Sequence, residues 1–223
     1  GSSFVSHYFL VKRIHEQGIK VVLDGQGADE FLAGYMHSFY RHFSASLAGG
    51  NLLAFWKDIM LHKQWQQFNA IESLKVAGKS FLSLIKDEQS LYGFEYFNFY
   101  PFTLHNKPKN APLQLQKFSN NKLNEFLYHL LFTTSLPTIL HYVDRMTMAY
   151  SLESRVPFLD HRLVEFAFTL PEEDKLNGAT TKYILRGSLK DILPEPVYNR
   201  RDKKGFVTPG ETIWLRGPMK HLI

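Results

Sequence analysis

The six residues Asp24, Gly25, Gln26, Gly27, Ala28 and Asp29 bring two carboxylates, two glycines and an amide into one short stretch. A carboxylate is a hard oxygen donor that suits magnesium or a sugar hydroxyl. Glycine lets the backbone come close to an anion. Such a turn could hold a phosphate together with its metal ion. The same residues also serve a plain strand-to-helix connection in which Asp29 is a favourable charge in the first helical turn. A second group, Arg200, Arg201, Lys203 and Lys204, forms a short basic run. Read alone, it is a solvated loop or a weak contact for polyanions, and one run of this length is a poor nucleic-acid footprint.

The rest of the composition narrows the chemistry. There is no cysteine, which excludes thiolate nucleophiles, thiolate metal sites and disulfides. The ten histidines lack the His-Glu-x-x-His spacing of a zinc helix. A net charge of +5 fits an anionic small molecule at least as well as a polynucleotide. No apolar run reaches the roughly 18 residues a membrane span needs, and the opening residues lack the order of a signal peptide. The expectation is a cytoplasmic chain with neither a membrane nor a nucleic acid as partner.

The elements that must carry these groups follow from periodicity. Phe4, Tyr8, Val11 and Ile14 recur at helical spacing after Ser2 or Ser3, and Gly18 is placed to end that helix. Residues 19–24 predict a strand whose continuous apolar run fits a parallel sheet covered on both faces. A helix should begin near Ala28 to Glu30. Residues 38–100 are aromatic and amphipathic and predict packed helices, and residues 106–112 predict a loop. Further helices are expected after Ser119 or Asn120, with Pro137 in a first turn, and over residues 161–170 and 181–193. One strand among many helices is awkward for a complete parallel sheet, so the expectation is a single domain over residues 1–223 that forms the later part of a longer protein.

Three stretches carry a family resemblance. "DGQGADEFLAGY" resembles the acidic glycine signature of the synthetase domain of glutamine-dependent asparagine synthetases. "VDRMTMAYSLESRVPFLDHRLVEFAFTLP" and "TKYILRGSLKDILPEPVYNRRDKKGFVTP" are similar to that family's second and closing blocks. The resemblance implies the mainly α part of an α/β domain of the adenine-nucleotide alpha-hydrolase-like (HUP, ATP-pyrophosphatase) class. It further implies ATP and Mg2+, a small carboxylic acid such as aspartate, ammonia from a glutaminase domain, and an acyl-adenylate route to asparagine, AMP and pyrophosphate. A homodimer is among the assemblies it allows. By the same resemblance Asp24, Gly25 and Gly27 face the nucleotide, Asp29 ligates magnesium, and Lys203 neutralises charge on the phosphates.

The motif match has departures. Gln26, with Lys203 a candidate catalytic residue by the resemblance, stands where the family commonly carries glutamate, and an amide offers hydrogen bonds but no negative charge and no base near neutral pH. That keeps open an amidotransferase for another carboxylate, such as a surface sugar acid, and a helical binding module that has lost catalysis. Asp24 replaces the common serine. The upstream pyrophosphate loop and the cysteine-dependent glutaminase domain of the family are missing from these residues, which leads to the expectation of a fragment inactive alone. Glu153, Arg155 and Asp160 read as a buried charge network bracing a loop, and Met146 and Met148 as core packing.

Overall fold

A computed structural model of the chain describes residues 3–66, 75, 77, 78, 81, 117–178, 180–200, 213, 217 and 220. They fall into two compact units, one of Gly1–Asp24, Thr138–Pro157 and Asp202–Ile223, the other of Gly25–Pro137 and Phe158–Arg201. Among the described residues no helix is long and apolar enough to cross a membrane.

In the first unit, α1 (Ser3–Glu16) ends as its sequence predicts. Gly18 takes a φ of 75°, which favours glycine, and donates its N–H to the His15 carbonyl at 2.8 Å. The helical spacing brings Phe4 onto Tyr142 with stacked rings 4.3 Å apart and Tyr8 towards Tyr150 at 5.3 Å. Tyr142 lies on α6 (Ser135–Met148), which has Pro137 in its first turn. Val11, Val143 and Leu152 are buried in this unit.

The expected strand is β1 (Val21–Leu23), and it pairs in parallel with β2 (Glu153–Arg155), Val22 opposite Ser154. The single-strand expectation is therefore corrected. β2 is short and has no apolar residue, so periodicity cannot reveal it. Ladder bonds hold it instead: Glu153 N–H donates to the Lys20 carbonyl and Asp24 N–H to the Arg155 carbonyl, both at 2.8 Å. Nor is β1 covered on both faces, for Val21 and Leu23 are 43% and 76% exposed. Glu153 and Arg155 make an exposed pair at 3.0 Å rather than part of a buried network. Met148 is exposed and Met146 half-buried, which corrects the core reading for Met148.

The second unit is built on α3 (Met36–Ala48), α4 (Leu52–Gln66) and α5 (Lys122–Phe132). Phe39 and Phe43, one turn apart, join Phe55, Ile59, Leu123 and Leu127 in its core. The Phe43 and Phe55 rings meet edge to face at 6.4 Å, the arrangement their quadrupoles favour. α5 starts one residue later than the later of its two expected starts. Asn121 caps it by accepting the Asn124 N–H at 2.8 Å, filling an orphan donor of the first turn. α7 (His161–Thr169) is capped by Asp160, which also takes two bonds from the Arg162 guanidinium. Those bonds hold the Asp160 carboxyl well below the usual carboxylate range. It is a surface cap, not a member of a buried network.

The chain continues through α8 (Glu172–Lys175), an antiparallel pair β3 (Leu176–Asn177) and β4 (Thr180–Thr181), α9 (Tyr183–Ser188) and α10 (Glu195–Tyr198). α9 covers only the first part of the helix expected over 181–193. The loop expected at 106–112 and most of the helical region expected from 67 to 100 lie outside the described residues.

Candidate functional site

β1 delivers the chain to Asp24, a half-buried residue whose N–H extends the ladder by one bond, and Gly25 follows exposed. In the second unit, Gly27 takes a φ of 100°, and a Cβ there would lie 2.3 Å from Leu159 Cδ2. Both the backbone angle and the close approach therefore require glycine. Next comes α2 (Ala28–Phe31), a single turn.

Consecutive residues of a helix point apart, and here that separates two acids. Glu30 turns inward and is 1% exposed. Its Oε1 accepts from the Tyr35 hydroxyl at 2.5 Å and from the Ser135 hydroxyl at 3.3 Å. Burial pushes its carboxyl up, and the neighbouring Asp29 charge adds to the rise against the lowering effect of those bonds. Burial first, then the negative charge at Glu30, raises the Tyr35 phenol as well. The pair therefore braces the "DEFLAGY" turn, since a buried carboxylate must find donors.

Asp29 turns the other way and is half-buried. Its Oδ1 folds over Gly34, where a Cβ would sit only 1.7 Å from it. Its partner is the Lys182 ammonium at 2.8 Å, both side chains being 27% exposed. Lys182 immediately precedes α9 and has φ 52° and ψ 41°, a left-handed conformation uncommon outside glycine. Its N–H donates to the Leu32 carbonyl at 3.1 Å, which fastens β4 and α9 to the end of α2.

Thus the structure brings Gly27 and Asp29 into one turn, with Gln26 half-buried beside them. It adds Lys182, which sequence reasoning passed over as a helix residue. A signal was available: a cation at the start of a helix opposes the helix dipole, so its position asks for another reason. Lys203, Arg201 and Lys204 lie outside the described residues. Among the described residues no three histidine, aspartate or glutamate side chains gather as a metal cage. A single carboxylate such as Asp29 could hold magnesium only with phosphate oxygens and water completing the shell. A carboxylate and an ammonium side by side can thus serve a metal and a phosphate together.

Several known proteins are similar to this chain. A family model described as asparagine synthase matches residues 1–223. Asparagine synthetase (glutamine-hydrolyzing) 1 of Bacillus subtilis strain 168 is 31% identical over 229 residues, covering 97% of this chain and 34% of that protein. A putative asparagine synthetase (glutamine-hydrolyzing) of Mycobacterium bovis is 33% identical, over 93% of this chain and 32% of its own length. Amidase chry2 of Gibberella zeae is 26% identical, over 94% of this chain and 35% of its own. The chain thus spans about a third of the length of these curated relatives. No solved structure matches it.

Proposed function

The chain belongs to the asparagine synthase family, and we propose that it supplies part of the nucleotide site of an ATP-dependent amidotransferase. In the proposed reaction a carboxylate oxygen, aspartate being the first candidate, attacks the α-phosphorus of ATP and pyrophosphate leaves. Ammonia derived from glutamine then displaces AMP and gives asparagine. Both steps gather negative charge on phosphate oxygens, so positioned positive charge is what the protein must provide.

The observation that carries this reading is the Lys182 ammonium 2.8 Å from Asp29 in the acidic glycine turn. A compact charge on a flexible stem can turn from a carboxylate to a phosphate. Asp29 would hold magnesium, which when bound offsets charge on the leaving pyrophosphate. Asp24 and Gly25 are assigned to the nucleotide, Gly27 to keeping the turn, and Lys203 to a further positive charge on the phosphates. Gln26 is assigned to the acid substrate, through hydrogen bonds alone. We read the chain as part of an α/β domain of the adenine-nucleotide alpha-hydrolase-like class, a reading supported by the parallel pairing of β1 with β2.

Gln26 favours a second reading, in which the same adenylation acts on another carboxylate such as a sugar acid. Acid-dependent exchange of pyrophosphate into ATP by the full-length protein separates the two. Exchange with aspartate supports the first reading. Exchange with other acids and none with aspartate transfers the assignment to the second.

A further inference from the structure

Arg186 stands apart from the acidic turn, yet its guanidinium reaches three main-chain carbonyls. Nε donates to Thr181 at 3.1 Å, and Nη1 donates to Tyr198 at 3.2 Å and to Arg200 at 2.8 Å. Its own N–H donates to the Lys182 carbonyl at 2.9 Å. The carbonyl before Lys182 and the carbonyl of Lys182 are therefore both engaged by Arg186. These are the two peptide groups whose orientation defines the left-handed turn at Lys182 (φ 52°). A conformation that is uphill for a side chain with a Cβ persists only where its surroundings over-determine it.

We propose that Arg186 is a positioning residue for the Lys182 ammonium. Its Nε holds the β4-to-α9 turn in the form that aims Lys182 at Asp29, while Nη1 ties that turn to residues 198 to 200. This rests on the reading in which Lys182 acts on the phosphates. The role needs a guanidinium, whose fixed fork presents donors in several directions at once, whereas an ammonium offers all its donors from one nitrogen. A cavity of about 380 Å³ borders the same side chain, lined also by Asp174, Tyr183, Ser188 and Tyr198. Water can enter there, so a shorter residue at 186 leaves its carbonyl partners hydrated rather than stranded.

The test uses the full-length protein with Arg186→Lys, Arg186→Gln, Lys182→Ala and the double variant Arg186→Gln with Lys182→Ala. Both Arg186 variants are expected to lower kcat for pyrophosphate exchange by about tenfold or more, because small misplacements of a reacting group are costly. The KM for the acid should stay within about threefold, and Arg186→Gln should add nothing to Lys182→Ala. Hydrogen exchange at the Lys182 amide should accelerate by about tenfold without a matching change in α3 or α5. Arg186→Lys keeps charge and bulk and carries the test if Arg186→Gln does not fold. Full activity in Arg186→Lys, an equal loss from Arg186→Gln with and without Lys182, or an unchanged Lys182 amide would each overturn the proposal. A wild type that shows no exchange with any acid sinks the phosphate reading instead, and the amide measurement still decides whether Arg186 holds Lys182.

Discussion

At the scale of single residues, strain and crowding mark the acidic turn. Replacing Lys182 by glycine relieves a left-handed backbone worth about 1 kcal/mol or more and removes a part-exposed ion pair worth about 1 kcal/mol at most. Stability of Lys182→Gly is therefore expected to stay within about 1 kcal/mol of wild type, while pyrophosphate exchange falls about a hundredfold. A thermal melt beside the exchange assay checks this, and a steep loss of stability would mean that Lys182 serves the fold. Two glycines make a contrasting pair. A Cβ at Gly34 would meet Asp29 Oδ1 at 1.7 Å and its backbone Cα at 2.8 Å, whereas Gly25 has nothing within 4 Å. Gly34→Ala should cost about 1–3 kcal/mol by overpacking and activity with it. Gly25→Ala should leave the melt unchanged within about 0.5 kcal/mol and raise the KM for ATP, because a methyl group intrudes only once a nucleotide lies there. The strand-to-helix turn that carries Gly27 and Asp29 was legible in the sequence, whereas the roles given to both residues rest on the family resemblance. Lys182 was not legible, because its role depends on a neighbour more than 150 positions away along the chain.

At the scale of elements, a half-buried histidine joins three helices of the second unit. His42 on α3 lies 3.4 Å from Asp58 on α4 and 3.3 Å from Glu172 on α8. Burial alone pushes the imidazole down, but its bonds to Asp58 and Glu172 outweigh that and lift it to about 9 from an ordinary 6.5. The folded state thus holds this proton more tightly than the unfolded state does. The stabilisation, on the order of 3 kcal/mol, is complete below about pH 6.5 and fades as pH rises through about 9. Melting temperature is expected to fall across that window in the wild type and to fall less in His42→Gln. Parallel curves would show that the clamp adds nothing. Helix spacing revealed α3, α4 and α5 because their apolar stripes are long enough to repeat. It missed β2, whose Glu-Ser-Arg carries no hydrophobic period, and it overran α9, whose continuation past Ser188 is apolar enough to imitate a helix but turns instead.

At the scale of the molecule, both units bury some apolar groups and leave others exposed. The second unit encloses Phe39, Phe43 and Leu127 almost completely, so Phe43→Ala is expected to cost about 3–5 kcal/mol in a denaturant titration. The first unit leaves Phe9, Val21 and Leu23 at 61%, 43% and 76% exposure, and exposed apolar surface favours association. The 223-residue chain alone is expected to self-associate in light scattering. Leu23→Lys should reduce that association, whereas a clean wild-type monomer would speak against a sticky face. The periodicity predicted one strand among many helices, too few for a complete parallel sheet. It did not reveal which faces stay open, because exposure depends on neighbours that periodicity does not identify. The most direct measurement is acid-dependent exchange of labelled pyrophosphate into ATP by the full-length protein, compared with Asp29→Asn and Lys182→Gly. The site described here requires exchange in the wild type that falls about a hundredfold in both variants while their melts stay close to wild type. Full exchange in both variants, or none in the wild type with aspartate or any other carboxylic acid, would contradict it.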